Sequence, residues 1–189
     1  MYVLLRRLLV LFLLILPVGQ ALADEYADTI NVFRTAGESG KFFKKSYGYA
    51  VFPTVGKGGI GLGAAYGSGR VYARGKYVGD TSMTQVTVGL QLGGQAYSQI
   101  IFFEDKRAFD EFTSGNFEFG AEASAVAITA GASAQATTTG TSAGASGGQH
   151  DAKTKGSYYR GMAIFTIAKG GLMYEVSIGG QKFSYTPKK

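Results

Sequence analysis

The chain has 189 residues, of which 19 are basic, 13 acidic, one is histidine and none is cysteine. That length suits one domain with a core large enough to fold without staples. The lack of thiols excludes disulfides, thiolate zinc sites and cysteine nucleophiles, and a lone histidine beside a low-complexity stretch leaves no Ser/His/Asp triad on an ordered element.

The N-terminus reads as a targeting segment. Arg6 and Arg7 precede a leucine-rich run, Leu8 to Leu16, which Pro17 and Gly19 break. Ala21-Leu22-Ala23 fits the small-x-small cleavage rule, so residues 1–23 are expected to be a signal peptide. An uncleaved anchor is the rival, but the run is short for a bilayer span. No cysteine follows it, which excludes lipoprotein processing, and the arginine pair lacks the polar context of a twin-arginine signal. Residues 24–189 are then a single periplasmic domain, peripheral to a membrane if attached to one. It carries 17 basic against 13 acidic residues, a net +4, which suits an anionic surface without selecting one.

Asp24 to about Lys45 reads as helical. Asp24 can cap, Glu25 and Asp28 fall in the first turn, and Tyr26, Ile30 and Phe33 share a face. Gly37 and Gly40 predict a break, followed by a short second turn with Phe42 and Phe43 and a basic rim of Lys41, Lys44 and Lys45. That rim is a secondary candidate site, or simply a solvated edge.

Tyr47 to Tyr77 organises the chain. A short apolar run stops at Pro53, glycines follow at 56, 58, 59, 61 and 63, and Gly67-Ser68-Gly69 reads as a turn. Alternation puts Ile60, Leu62, Ala64 and Tyr66 on one face and Gly59, Gly61, Gly63 and Ala65 on the other. The bare face lets another backbone or layer approach closely. After the turn, Arg70, Tyr72, Arg74 and Lys76 share a basic, aromatic face, and Lys57 is expected to reach the same end of this hairpin.

Beyond Gly79-Asp80, Thr84 to Leu92 alternates, with Val86, Val88, Leu90 and Leu92 expected inward and Gln85, Thr87 and Gln91 outward. Ala96 to Phe103 is a strand, and Asp105 caps a short helix that buries Phe109 and Phe112 and stops at Gly115. Phe117 to about Thr137 is a strand of small residues for a crowded layer, and residues 138–150 are expected to form a mobile loop. Tyr158 to Ala168 and Leu172 to Ile178 form a hairpin, and Gln181 to Tyr185 is a last short strand. The fold class is therefore α+β: an antiparallel β-meander, closed or nearly closed into a small barrel, with an N-terminal helix and a short helix in the middle. An outer-membrane barrel is the rival. The helices that interrupt the strands and the non-alternating run Ile100–Phe103 count against it.

No constellation supports catalysis. Gly56 to Gly61 matches GxGxxG, but a strand follows where a dinucleotide site needs a helix, and no Ser or Thr follows Lys57 as a P-loop requires. Glu104, Asp105, Asp110 and Glu111 read as capping and solvating the short helix. No cofactor, metal or nucleic acid is expected.

GYAVFP at 48–53, Lys57, the glycine-rich run and YGSGRVYAR at 66–74 resemble the SYLF family, as do Gly93-Gly94-Gln95 and Phe119 to Ser124. The resemblance covers about Phe42 to Ser184. It implies binding of phosphoinositides or other anionic lipids, with no catalytic residue. The family's eukaryotic ties to actin do not carry over to an exported compartment. With Lys57, Arg70, Tyr72, Arg74 and Lys76 as candidate lipid- or phosphate-binding residues, the expected function is a non-catalytic exported domain that binds anionic lipid or the membrane surface in support of the cell envelope. The alternative is a structural or protein-interaction module with an envelope protein partner, its basic face merely solvated or paired with Glu118, Glu122 or Glu175.

Overall fold

A single 26-residue strand is the axis of the molecule. The computed structural model describes residues 18–89, 95–120, 123, 125–128, 158–169 and 178–189. In chain order these form α1 (Val18–Thr35), a 3-10 turn (Ser39–Lys44), β1 (Gly48–Ala73), β2 (Lys76–Gly89), β3 (Gln95–Phe103), α2 (Lys106–Phe112), β4 (Phe117–Glu118), β5 (Val126–Ile128), β6 (Met162–Lys169) and β7 (Lys182–Pro187). The mobile loop expected at 138–150 and all but Ile178 of the strand expected at Leu172 to Ile178 lie outside the described residues.

The strands make one sheet in the order β4-β7-β2-β1-β3-β6-β5. All neighbours are antiparallel except β5 and β6, which are parallel. The α+β class therefore holds, with two corrections. The sheet is a curled half-barrel and not a closed barrel; among the described residues, β4 and β5 are its free edges. It is also not a plain meander. The first half of β1 pairs with β3, the second half pairs with β2, and β7 returns to the outer side of β2.

β1 can serve two partners because it doubles back on itself. Arg74 donates its backbone N–H to the Tyr47 carbonyl at 2.9 Å, so the two ends of the strand meet. A Cβ at Gly69 would lie 2.6 Å from the Phe52 ring and 2.8 Å from the Val51 carbonyl. Glycine is thus required where the returning half passes the first. These contacts place the reversal in the glycine run between Val55 and Gly67, and not at Gly67-Ser68-Gly69, which lies within continuous strand. The next turn is Arg74-Gly75, with Ala73 paired to Lys76. Both turn residues have positive φ, 50° and 78°, as a two-residue type I′ turn demands.

The sheet is packed on both faces. The inner core holds Phe52, Val71, Met83, Ile101, Phe103 and Phe183, closed at one end by Phe112 of α2. The outer core holds Val51, Ile100, Phe102 and Phe165 under Ile30 and Phe33 of α1 and Phe42 of the 3-10 turn. Two-sided burial is why Ile100–Phe103 does not alternate. A register shift between Phe52 and Val55, at Pro53, moves the inward parity of β1 from even to odd positions. On β2 the expected parity is reversed at the described positions Gln85 and Val86, while the side chains of Val88, Leu90 and Leu92 lie outside the described residues. Gln85 is 2% exposed and Val86 69%, because Ala65, which faces inward, is the partner of Gln85. The buried amide of Gln85 donates to the Gly179 carbonyl at 2.9 Å. Nearby, Gln99 and Gln181 exchange amide bonds of 2.9 and 3.2 Å, and Gln181 also donates to the Tyr97 hydroxyl.

The helices follow their sequence signals closely. Asp105 caps α2 by accepting from Ala108 N at 2.8 Å, and the C-terminal stop at Gly115 has φ 93°. α1 begins at Val18 and not at Asp24, so Asp24 sits inside the helix. Gly19, expected to break the chain, lies within the helix, and Gln20 to Ala23 beyond it are good helix formers. After Thr35 the chain breaks as expected, and Ser39 Oγ donates to the Phe33 carbonyl at 2.6 Å to hold the 3-10 turn against the helix end. Ala123 and Ala125 pack against the inner core, as a small-residue layer should.

Candidate functional site

The end of α1, the 3-10 turn, the start of β1 and the β1–β2 turn enclose an open groove of about 810 Å³. Five cations line it: Arg34, Lys41, Lys44, Lys45 and Arg74. All five are exposed. Among the described residues the one carboxylate within ion-pair reach is Glu38, 3.9 Å from Lys41. Phe43, Tyr47 and Tyr49 supply the aromatic lining.

Local sequence explains why these charges converge. Arg34 closes the last turn of α1, where the helix dipole favours a cation, and Lys41 and Lys44 occupy the last turn of the 3-10 segment. Arg34 lies over the Phe43 ring at 5.1 Å and Arg74 over Tyr47 at 5.2 Å, so both guanidinium groups rest on rings with their donors free for a ligand. Tyr72 stacks on Tyr49 at 5.0 Å and holds that wall from behind. Burial, with Tyr72 next, pushes the Tyr49 phenol above its ordinary range, so it stays a neutral donor.

The expected site residues thus divide. Arg74 and the rim Lys41, Lys44 and Lys45 come together in the groove, and Tyr72 supports it. Lys76 is exposed beside the same turn. Arg70 is drawn away: its guanidinium lies 4.3 Å from the Tyr26 ring and 5.1 Å from Tyr77, and Asp80 is its partner across the β1–β2 ladder. There it fastens α1 to the sheet. Burial and a hydrogen bond to Asp80 push the Tyr77 phenol up to about 12, so this cluster keeps one form through the physiological range. Lys57 pairs with Gln95 near the reversal of β1, nine residues from Gly48 and so roughly 25–30 Å along the strand from the groove end. Glu118 pairs with Lys182 at 3.6 Å, not with the arginines; Glu122 and Glu175 lie outside the described residues.

Sequence reading missed Arg34, Phe43, Tyr47 and Tyr49 as groove residues. Arg34 carried a usable signal, a cation in the last helical turn just before the Lys41–Lys45 cluster. Among the described residues no group of three or more His, Cys, Asp or Glu converges as a metal site, and no helix is long and apolar enough to cross a membrane.

The half-barrel fills its interior with side chains and gathers five cations along an open surface groove. The chain belongs to the SYLF family: residues 84–188 match the family profile described as Ysc84, Las17-binding protein actin regulator. It is also 32% identical over 163 residues to Beta cell expansion factor A of Aeromonas veronii, an alignment covering 83% of this chain and 53% of that protein. The chain thus spans about half the length of that relative.

Proposed function

We propose that this domain is a non-catalytic, exported module that docks its cationic groove on anionic lipid at a membrane surface. The observation that carries the reading is the convergence of five cations from three separate chain segments, with a single carboxylate in ion-pair reach among the described residues. Each basic side chain near an anionic surface contributes about 1 kcal/mol, an attraction that fades within roughly 10 Å at 0.1 M salt. Phe43 and Tyr47 add half-buried rings at the rim, where tyrosine is favoured in a headgroup layer. The purified domain should co-sediment with vesicles containing phosphatidylglycerol at low salt, release as salt rises, and ignore pure phosphatidylcholine. Binding that is absent from anionic vesicles, or equal on both kinds, contradicts the reading. Because the family description names a protein ligand, an acidic segment of an envelope protein is the alternative occupant, and vesicle-independent capture of such a partner would favour it.

Export rests on the leader. Cleavage at Ala23 would free α1 to begin at Asp24 and leave Tyr26, Ile30 and Phe33 on the sheet. Intact mass of the periplasmic fraction should correspond to Asp24–Lys189. A mass retaining residues 1–23 would mean an anchored protein.

A further inference from the structure

Two glutamines meet inside a half-barrel whose interior is dominated by apolar side chains. Gln99 of β3 and Gln181, just before β7, are both fully buried. They form a reciprocal amide pair. Gln99 Nε2 donates to Gln181 Oε1 at 2.9 Å, and Gln181 Nε2 donates to Gln99 Oε1 at 3.2 Å. Gln181 Nε2 also donates to the Tyr97 hydroxyl at 3.2 Å. Burial pushes the Tyr97 phenol well above its ordinary range, so every member of the network stays uncharged.

The pair joins strands that are far apart in the sheet. Between β3 and β7 lie the first half of β1, its returning half and β2. Along the sheet that is four strand spacings, about 19 Å. The two side chains instead meet end to end, so the pair is a chord across the curl and not a rung between neighbours. Gln181 is aimed inward by a tight turn. Its N–H donates to the Ile178 carbonyl at 3.1 Å, and Gly180 takes the left-handed φ of 75°. Phe119 and Gly180 exchange backbone contacts with this turn on one side, through Phe119 N–H to the Gln181 carbonyl at 3.0 Å and Gly180 N–H to the Phe119 carbonyl at 2.9 Å. Gln85 of β2 holds the Gly179 carbonyl on the other at 2.9 Å.

Amides are a costly filling for such an interior. Apolar side chains of the same volume in both places would stabilise the fold as well or better, whereas removing one amide leaves its partner buried and unsatisfied. What the amide pair supplies is direction. It is made only at one distance and angle, while apolar packing is non-directional. We propose that the Gln99–Gln181 pair, with Tyr97, is a clasp that fixes the curl of the half-barrel. It holds β7 at one distance from β3, where apolar packing alone accepts flatter arrangements of the same strands. The clasp lies in the interior, apart from the residues that line the groove.

The test replaces the whole network with apolar groups of similar volume, Tyr97→Phe/Gln99→Met/Gln181→Met, beside the single variant Gln99→Met. The chain has no cysteine, so spin labels can be placed at Asn31→Cys and Lys182→Cys. Both positions are exposed; the first lies on α1, which packs over Ile100 and Phe102 of β3, and the second adjoins Gln181. Gln99→Met should lower the thermal midpoint by about 3–10 °C, because it strands the Gln181 amide. The triple variant should regain the wild-type midpoint or exceed it. Its label-to-label distances, measured by pulsed electron paramagnetic resonance, should broaden and lengthen relative to the wild-type network. A triple variant that keeps the narrow wild-type distribution overturns the inference, because the curl then needs no clasp. A triple variant that fails to fold, or melts below Gln99→Met, also overturns it, because the amides then serve stability and not shape. A Gln99→Met midpoint equal to wild type overturns it as well, since no buried partner has been stranded.

Discussion

Phe52→Ala should cost about 3–5 kcal/mol of stability, enough to leave a domain of ordinary stability barely folded. Phe52 is fully buried on the first half of β1. Its ring covers Gly69 on the returning half and lies 5.7 Å from the Phe183 ring of β7. One side chain therefore joins both halves of the central strand to β7, the strand beyond β2. The ladders on either side fix those backbones, so the space left by alanine cannot close. Gly69→Ala should act from the other side by overpacking, at about 1–3 kcal/mol, because its Cβ would press on the Phe52 ring and the Val51 carbonyl. Tyr66, 57% exposed, is the control, and Tyr66→Ala should stay within about 0.5 kcal/mol. Urea unfolding followed by circular dichroism measures all three. A Phe52→Ala cost below about 1 kcal/mol would contradict the doubled-back strand.

The second large effect is on binding. Lys44→Glu/Lys45→Glu/Arg74→Asn should weaken attachment to anionic vesicles by at least 3 kcal/mol, about a hundredfold or more. All three side chains are exposed and line the groove, and none has an ion-pair partner among the described residues. Asparagine suits the left-handed backbone at 74, so folding should change little. Loss of the last-turn cation Lys44 costs the 3-10 segment only a few tenths of a kcal/mol. The matched comparison is Arg70→Glu, the residue that the strand pattern also favoured. Its guanidinium lies against Tyr26 and Tyr77, so its loss should loosen α1 and lower stability more than it lowers vesicle affinity. The opposite order, with Arg70→Glu abolishing binding in a folded protein and the triple variant binding normally, would move the site to the middle of the strand.

What the sequence made legible was local. The Asp105 cap with its seven-residue helix, the break after the first helix and the Phe42-Phe43 turn all depend on neighbours in the chain, and all appear as read. Ile100–Phe103 announced its two-sided burial by failing to alternate. The errors lie where distant segments decide. Alternation gives a strand's period but not which parity faces in, and the pairing of Gln85 with the inward Ala65 reversed the expected roles of Gln85 and Val86. Gly67 and Gly69 looked like a turn because glycine serves turns and close approaches alike, and here the close approach prevailed. The groove was half legible. Lys41, Lys44 and Lys45 stood out as a cluster, but nothing local shows that Arg34 and Arg74, forty residues apart, meet across it. That juxtaposition exists only because β1 brings its end back to its beginning.

On this reading the groove end faces an anionic bilayer. The chain has no cysteine, so single-site labelling is unambiguous. Lys41→Cys places an environment-sensitive fluorophore on the groove wall, and Val86→Cys places one on an exposed position of β2, paired with Ala64 toward the far end of the hairpin. With phosphatidylglycerol vesicles carrying a headgroup quencher at low salt, the Lys41→Cys label should be strongly quenched and the Val86→Cys label should keep its intensity. Quenching at Val86→Cys without quenching at Lys41→Cys would contradict the claim.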